Sequence, residues 1–279
     1  MNATLIVLLL LGQGQGQAPG AAAADNADTK AEAAEARAVA KLLAEEYVVE
    51  LDKSSGAKLQ QTSEPVLRWL LQLDRRFYSD VYLWTHEGRP VVVASITNVY
   101  GGVRRVMETE IHSLSSGLPL MSHNGTVIWE PERPGVEWKP IPDAPQPSST
   151  AAARLTQMRG LAAQFSVTGV YGTMKEDLRL LPAPIYRYAS EKQGVTDGAL
   201  FAFVRGTDPD TLLIIESREG ARGAQWQYAF ARFCGHCSLR AMREGREVWQ
   251  VDVLSTQTVT DPKQPYCGLR KYSDFPVVK

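Results

Sequence analysis

The sequence predicts an α+β protein of two related units, each an amphipathic helix followed by an antiparallel meander of about five or six strands. Three observations predict it. First, landmarks recur in order about 119 residues apart: Pro65-Val66-Leu67-Arg68-Trp69 returns as Pro184-Ile185-Tyr186-Arg187-Tyr188, and Leu59 keeps register with Leu178. Asp80 with Leu83-Trp84 is answered by Asp197 with Leu200-Phe201, and Leu118, Met121, Gly125 and Trp129 by Leu239, Met242, Gly245 and Trp249. Second, the apolar period changes from that of a helix to that of a strand after the opening of each half. Third, the turns between strands are too short for parallel crossovers, which forces antiparallel neighbours. The units either stand as two domains or join into one strongly curved sheet or open barrel around the helices.

The elements follow from local chemistry. From Asp28 to about Glu46 the chain is rich in Ala, Glu, Lys and Leu, with Asp28 or Thr29 as a cap and Val39, Leu42 and Leu43 on one face. Strand periodicity runs through Leu59–Trp69, Val81–His86, Val91–Thr97 and Met107–Leu114, and Asn124-Gly125 marks a hairpin. The second helix opens at Ser148-Ser149-Thr150 and carries Leu155, Met158, Ala162 and Phe165 at spacings of three and four. Strands are expected at Asp177–Tyr188, Ala199–Arg205, Thr211–Ser217, Gln225–Phe233, Leu239–Arg243 and Glu247–Val253. Leu200, Ala202 and Val204 face one way and Phe201 and Phe203 the other, so both faces of that strand need cover, as do those of Leu212-Leu213-Ile214-Ile215. A helix within the unit is the expected cover; the other half or a ligand pocket between sheet and helix is the alternative. The segment from Leu254 to Lys279 reads as irregular and packed across the second half.

The domain plan is a signal peptide at 1–24, a first unit at 25–130, a linker at 131–147 and a second unit with its tail at 148–279. The first 24 residues lack side-chain charge and contain Leu5-Ile6-Val7-Leu8-Leu9-Leu10-Leu11 followed by small residues. That run is too short to span a bilayer, so the expectation is export to the periplasm or extracellular space without a transmembrane anchor. Six of the sixteen prolines fall between Pro131 and Pro147, which rules that stretch out of a central strand, and Trp138 is placed to pin it to a surface. A net charge of −1, with no basic stripe, argues against nucleic acid as a partner.

Arg154-Leu155-Thr156-Gln157-Met158-Arg159, Leu178 to Tyr188 and Asp197-Gly198-Ala199-Leu200-Phe201-Ala202-Phe203 resemble a family of exported bacterial hypothetical proteins. The resemblance covers mainly the second half and implies export and a shared fold. It implies no catalytic residue. A curled sheet enclosing helices would also be similar in architecture to periplasmic lipoprotein carriers.

Cys234-Gly235-His236-Cys237 has the spacing of a disulfide isomerase motif. That chemistry needs the first thiol at a helix N-terminus after a strand, whereas here the motif sits between two strand-like segments and only 42 residues follow. A structural role is preferred, one disulfide among Cys234, Cys237 and Cys267; a zinc site from Cys234, His236, Cys237 and Cys267 has the right ligand types but lacks the usual second close pair, and no metal is expected. Glu108, Glu110 and His112 alternate on one strand and project from the same face. They form either a base beside an acid, a two-carboxylate metal site, or the polar outer face of a half-buried strand, and the last is preferred. Arg68 and Arg187 fall at matching positions and read as structural ion pairs.

The expected function is thus a non-enzymatic exported binding or envelope-interaction protein, its partner an apolar small molecule or an envelope protein, with no cofactor. The alternatives are a thiol-disulfide oxidoreductase using Cys234 and Cys237, or a hydrolase or metal site at Glu108, Glu110 and His112.

Overall fold

The computed structural model describes residues 19–102, 105–220 and 223–273. Residues 1–18 of the expected signal peptide lie outside the described residues. In the first half, helix α1 (Pro19–Glu46) runs straight into β1 (Tyr47–Glu50), followed by β2 (Gln60–Gln61), β3 (Leu67–Gln72), β4 (Arg76–His86), β5 (Arg89–Tyr100), β6 (Arg105–Ser113), β7 (Leu120–His123) and β8 (Thr126–Trp129). Strands β1, β7 and β8 form one sheet; β6, β5, β4 and β2 lie side by side in another, with β3 also on β4. A bridge from Glu50 to Lys58 links the two.

The second half contains β9 (Lys139–Pro140), α2 (Ala151–Ala162), β10 (Phe165–Tyr171), β11 (Met174–Leu180), β12 (Tyr186–Ser190), β13 (Val195–Arg205), β14 (Asp208–Arg218), β15 (Gln225–Arg232), β16 (Ser238–Arg243), β17 (Arg246–Val251), α3 (Thr256–Val259) and β18 (Tyr266–Ser273). Its sheet has the order β17-β16-β10-β11-β13-β14-β15-β9, with β12 on β13. Every described pairing is antiparallel, and one of the sheets is curled into a half-barrel.

Several expected boundaries shift for physical reasons. Helix α1 starts at Pro19 rather than Asp28, and its buried face is Ala36, Ala40, Leu43 and Ala44, while Leu42 is 60% exposed. Small alanines let the helix lie close on the sheet, and Leu42 is exposed because it falls off the face that carries Ala36, Ala40, Leu43 and Ala44. Thr150 caps α2 by accepting from the Ala153 N–H at 3.3 Å. The helix stops at Ala162 because Phe165, Val167, Gly169 and Tyr171 are buried alternately, the period of a strand. Pro182 and Pro184 split the expected strand Asp177–Tyr188 into β11 and β12, and Leu59–Trp69 similarly becomes β2 and β3. The C-terminal segment is neither irregular nor confined to the second half: β18 pairs with β6 of the first half from Tyr266↔His112 to Ser273↔Arg105. In return, Lys139 and Pro140 of the linker pair with the edge of β15, and Trp138 lies beneath the Arg89 guanidinium at 5.1 Å.

The doubly apolar strands decide the architecture. On one face of β13 and β14, Ala199, Phe201, Phe203, Leu213 and Ile215 pack with Met158, Leu161 and Ala162 of α2. On the other face Leu200, Ala202, Val204, Leu212 and Ile214 meet Val81, Leu83 and Val93 of β4 and β5. The helix therefore covers one face and the other half covers the second, so the halves are back to back. Tyr82, Trp84, Val92, Ala94 and Ile96 turn the other way, onto α1, and close the first core with Met121 and Trp129.

One ion pair is sealed between the halves. Glu216 is fully buried; Arg89 donates to both its oxygens at 2.6 and 3.2 Å, and the Tyr188 hydroxyl donates to Oε1 at 2.7 Å. The neighbouring β4–β5 turn is docked by the Tyr186 hydroxyl, which donates to the Gly88 carbonyl at 3.1 Å. Gly88 combines a φ of +83° with a close approach to the Ala189 carbonyl, so a side chain there is doubly disfavoured. Replacing Arg89 by Ala strands a buried carboxylate and is expected to cost about 3–5 kcal/mol. Lys192→Ala, which breaks only the exposed pair with Glu87, should change stability by less than about 1 kcal/mol. Urea denaturation of the two variants checks both values.

Candidate functional site

The site forms where three connections of the second half meet the returning C-terminal strand. The Phe233 N–H donates to the Asp210 carbonyl at 2.7 Å, carrying β15 past its last residue, and the chain then turns through Cys234–Cys237 into β16. Arg232 is buried beneath this turn. Its guanidinium donates to the carbonyls of Cys234 (2.9 Å), Cys237 (3.1 Å) and Asp252 (2.9 Å), and burial lowers its pKa. Gly235 is required for packing: a Cβ there would lie 2.2 Å from Val259 Cγ2 and 3.0 Å from the Tyr266 ring.

This framework brings Asp210, Cys234 and Cys237 together, all buried, with one carboxylate oxygen and both sulfurs within 4.8 Å of one another. The Tyr171 hydroxyl, at the end of β10, donates to Asp210 Oδ2. Arg205 lies 4.1 Å above the Tyr171 ring. His236 Nδ1 is 3.5 Å from Cys234 Sγ; the residue has an exposed edge, while its ring lies 5.9 Å from that of Tyr171. Desolvation, then the charges of Arg205 and Arg232, lower the His236 pKa and favour its neutral ring. Desolvation, held against a hydrogen bond from Tyr171, raises the Asp210 pKa to about 6.

The thiols differ from the sequence expectation. All three cysteines are free, with no disulfide among them. Cys267 belongs to the core under α1, where burial pushes its thiol up to about 12, and it does not join the other two. Asp210 takes the place that the sequence reading gave to Cys267 in a zinc set. Burial, then the neighbouring Cys237 and Asp210, raise the Cys234 pKa well above the ordinary thiol value. A thiol-disulfide catalyst needs the opposite shift, and the turn leads into strand β16 instead of a helix whose N-terminus would stabilise thiolate.

Glu108, Glu110 and His112 do share one face of β6, yet no hydrogen bond joins them. Glu108 accepts from Arg270 at 3.0 and 3.1 Å, Glu110 accepts from the Tyr266 hydroxyl, and His112 Nδ1 lies 2.7 Å from the Ser113 carbonyl. Each is occupied by β18 or by its own backbone, so they do not assemble a base, acid and water. Desolvation first, then Glu108 and Asp208, raise the Glu110 pKa; desolvation and then Asp210 raise that of Asp208. The carboxylates of the two halves thus come near enough for their charges to act on one another. Asp208, Asp210, Tyr171 and Tyr266 were not singled out in the sequence, where Asp208-Pro209 reads as a turn. The available signal was Asp208 and Asp210 two residues apart, on one face of a strand.

No family model, curated protein or solved structure matches this chain.

His112 generates a pH prediction. It is 3% exposed, and desolvation lowers its pKa from 6.5 to about 4. The unfolded chain therefore binds the proton first as pH falls, so His112 supports the fold above pH 6.5 and this support is lost as pH falls towards about 4. Relative to His112→Gln, the wild type should lose about 3 kcal/mol across that window, read from urea denaturation at stepped pH. A constant difference between the two proteins would remove His112 as an acid-sensitive group.

Proposed function

We propose that this is an exported, non-enzymatic binding protein built from two copies of one helix-plus-meander unit, and that it binds a thiophilic divalent cation, zinc foremost, at Asp210, Cys234 and Cys237. What supports the two-copy reading is agreement pairing by pairing. Strands β1–β7, β2–β4, β3–β4, β4–β5, β5–β6 and β7–β8 have counterparts in β10–β16, β11–β13, β12–β13, β13–β14, β14–β15 and β16–β17, in the same chain order. Arg68 and Arg187, matched in the sequence, lie on β3 and β12 and pair with Asp80 and Asp197. Export is supported by the uncharged apolar N-terminus and by the resemblance to exported proteins.

The observation that carries the metal reading is the convergence of two sulfurs and a carboxylate, all on buried residues, within 4.8 Å of one another. Their nearest cations are committed elsewhere, Arg232 to three carbonyls and Arg205 to Glu176 and the Tyr171 ring. Zinc takes such ligands tetrahedrally, and Zn–S of about 2.3 Å with Zn–N of about 2.0 Å separates sulfur and nitrogen by about 3.5 Å. The Cys234 to His236 distance of 3.5 Å has that value. His236 stands outside the trio and becomes the fourth ligand by rotation of its ring, or leaves that position to water. Soft thiolates select zinc or cuprous ion over magnesium or calcium. A lipid-sized cavity has less support, because Trp84, Trp129, Met158, Phe201 and Phe203 fill the spaces between sheets and helices.

The test is the mass and metal content of the protein purified from an oxidising compartment without chelator, under native and denaturing conditions. One zinc per chain, absent from Cys234→Ser and Asp210→Asn, is the expected result. A hundredfold excess of zinc over its dissociation constant should add about 2.7 kcal/mol of stability, lost on adding chelator. Metal-free protein that is 2 Da light from a Cys234–Cys237 disulfide would reject the metal site and return the redox alternative to the front.

A further inference from the structure

We propose that the first half carries a second binding site, for a guanidinium or ammonium group on an alkyl chain, at Asp80 between α1 and the sheet. The second half supplies the template. Asp197 is buried, and both its oxygens are bonded: Arg187 of β12 donates to Oδ1 at 2.9 Å and to Oδ2 at 2.7 Å, and Arg154 of α2 donates to Oδ2 at 2.9 Å. Arg154 is held in place by the carbonyls of Ser148 and Ser149, each at 3.0 Å.

The first half has the same residue types on the same elements: Asp80 on β4, Arg68 on β3 and Arg37 on α1. Only half of the arrangement is closed. Arg68 Nε lies 3.3 Å from Asp80 Oδ1 and is shared with Glu64. Oδ2 has no hydrogen-bond partner, although Asp80 is 3% exposed. Arg37 is exposed at the rim of the site; its charge acts on Asp80, but no hydrogen bond joins the two.

In the place that Arg154 fills in the second half, the first half has a pocket of about 320 Å³, whose lining includes Ala33, Ala36, Trp69, Leu70 and Asp80, with Arg37 and Arg68 also on its wall. The two alanines leave the room. A buried carboxylate oxygen without a donor is costly, and a guanidinium satisfies it with charge-assisted hydrogen bonds. The apolar lining suits the alkyl stem of such a group. Asp197 shows within the same molecule that a buried aspartate already paired with one strand arginine accepts a second guanidinium beside it.

The experiment is a calorimetric titration of the full mature protein with butylguanidinium and butylammonium, with butyrate as the charge control. Saturable binding of the cations at one site, and none of butyrate, is expected. Asp80→Asn should weaken binding about tenfold or more, the effect of losing a charge-assisted bond, whereas Arg37→Ala should bind as well as wild type or better. Arg154→Ala empties the equivalent place in the second half, so it should double the number of sites and recover its lost melting temperature on adding butylguanidinium. The proposal is overturned if neither wild type nor Arg37→Ala binds the cations. It is equally overturned if Arg37→Ala destabilises as much as Asp80→Asn and the double variant is no worse, because Arg37 then occupies the place itself.

Discussion

The organisation depends on strands that are apolar on both faces. An antiparallel sheet with one wet face needs a single cover, but β13 and β14 carry phenylalanine, leucine and isoleucine on alternate sides and leave no face for water. One amphipathic helix is wide enough for one face only. The second face finds the equally apolar outer side of β4 and β5, and the halves are held by burial of side chains that neither could expose alone. Into that dry contact the chain inserts one charged group, Glu216, and satisfies it from both halves through Arg89 and Tyr188. Such a pair adds little net stability over an apolar contact, but it penalises any other relative placement of the halves.

The exchange of edge strands follows from the same geometry. Once the sheets lie back to back, the free edges of β6 and β15 are both close to the seam, where the linker and the C-terminal segment pass. Strand β18 closes one edge and the Lys139–Pro140 pair closes the other. Closing β6 with β18 is also what engages Glu108, Glu110 and the Cys234–Cys237 turn: Arg270 reaches Glu108, Tyr266 reaches Glu110, and the Tyr266 ring and Val259 press on Gly235. The turn that carries Cys234 and Cys237 is therefore braced from the seam.

Its residues were legible to different degrees. Cys234, His236 and Cys237 stand out by spacing, and Glu108, Glu110 and His112 by alternation, because both signals depend on residues a few positions apart. Asp210 carries only its alternation with Asp208 as a local signal, and Tyr171 carries none. They lie 24 and 63 positions from Cys234 and meet it only because the β10–β11 and β13–β14 hairpins end at the level of the β15–β16 turn. Cys267 was the natural third sulfur in the sequence, but its strand faces it into the core beneath α1. The Arg68 and Arg187 pairings were legible because each arginine sits within about a dozen residues of its aspartate, across a hairpin.

The cap of α2, strand periods and hairpin turns were readable directly, since steric and hydrogen-bonding preferences act over a few residues and fix α+β class, antiparallel neighbours and most element positions. The chain could not reveal which surface would cover the second apolar face, or that its last strand would complete the first half. Those outcomes turn on burial between segments more than a hundred residues apart, where many pairings are locally equivalent and only the folded whole distinguishes them by the area they remove from water and the polar groups they leave bonded.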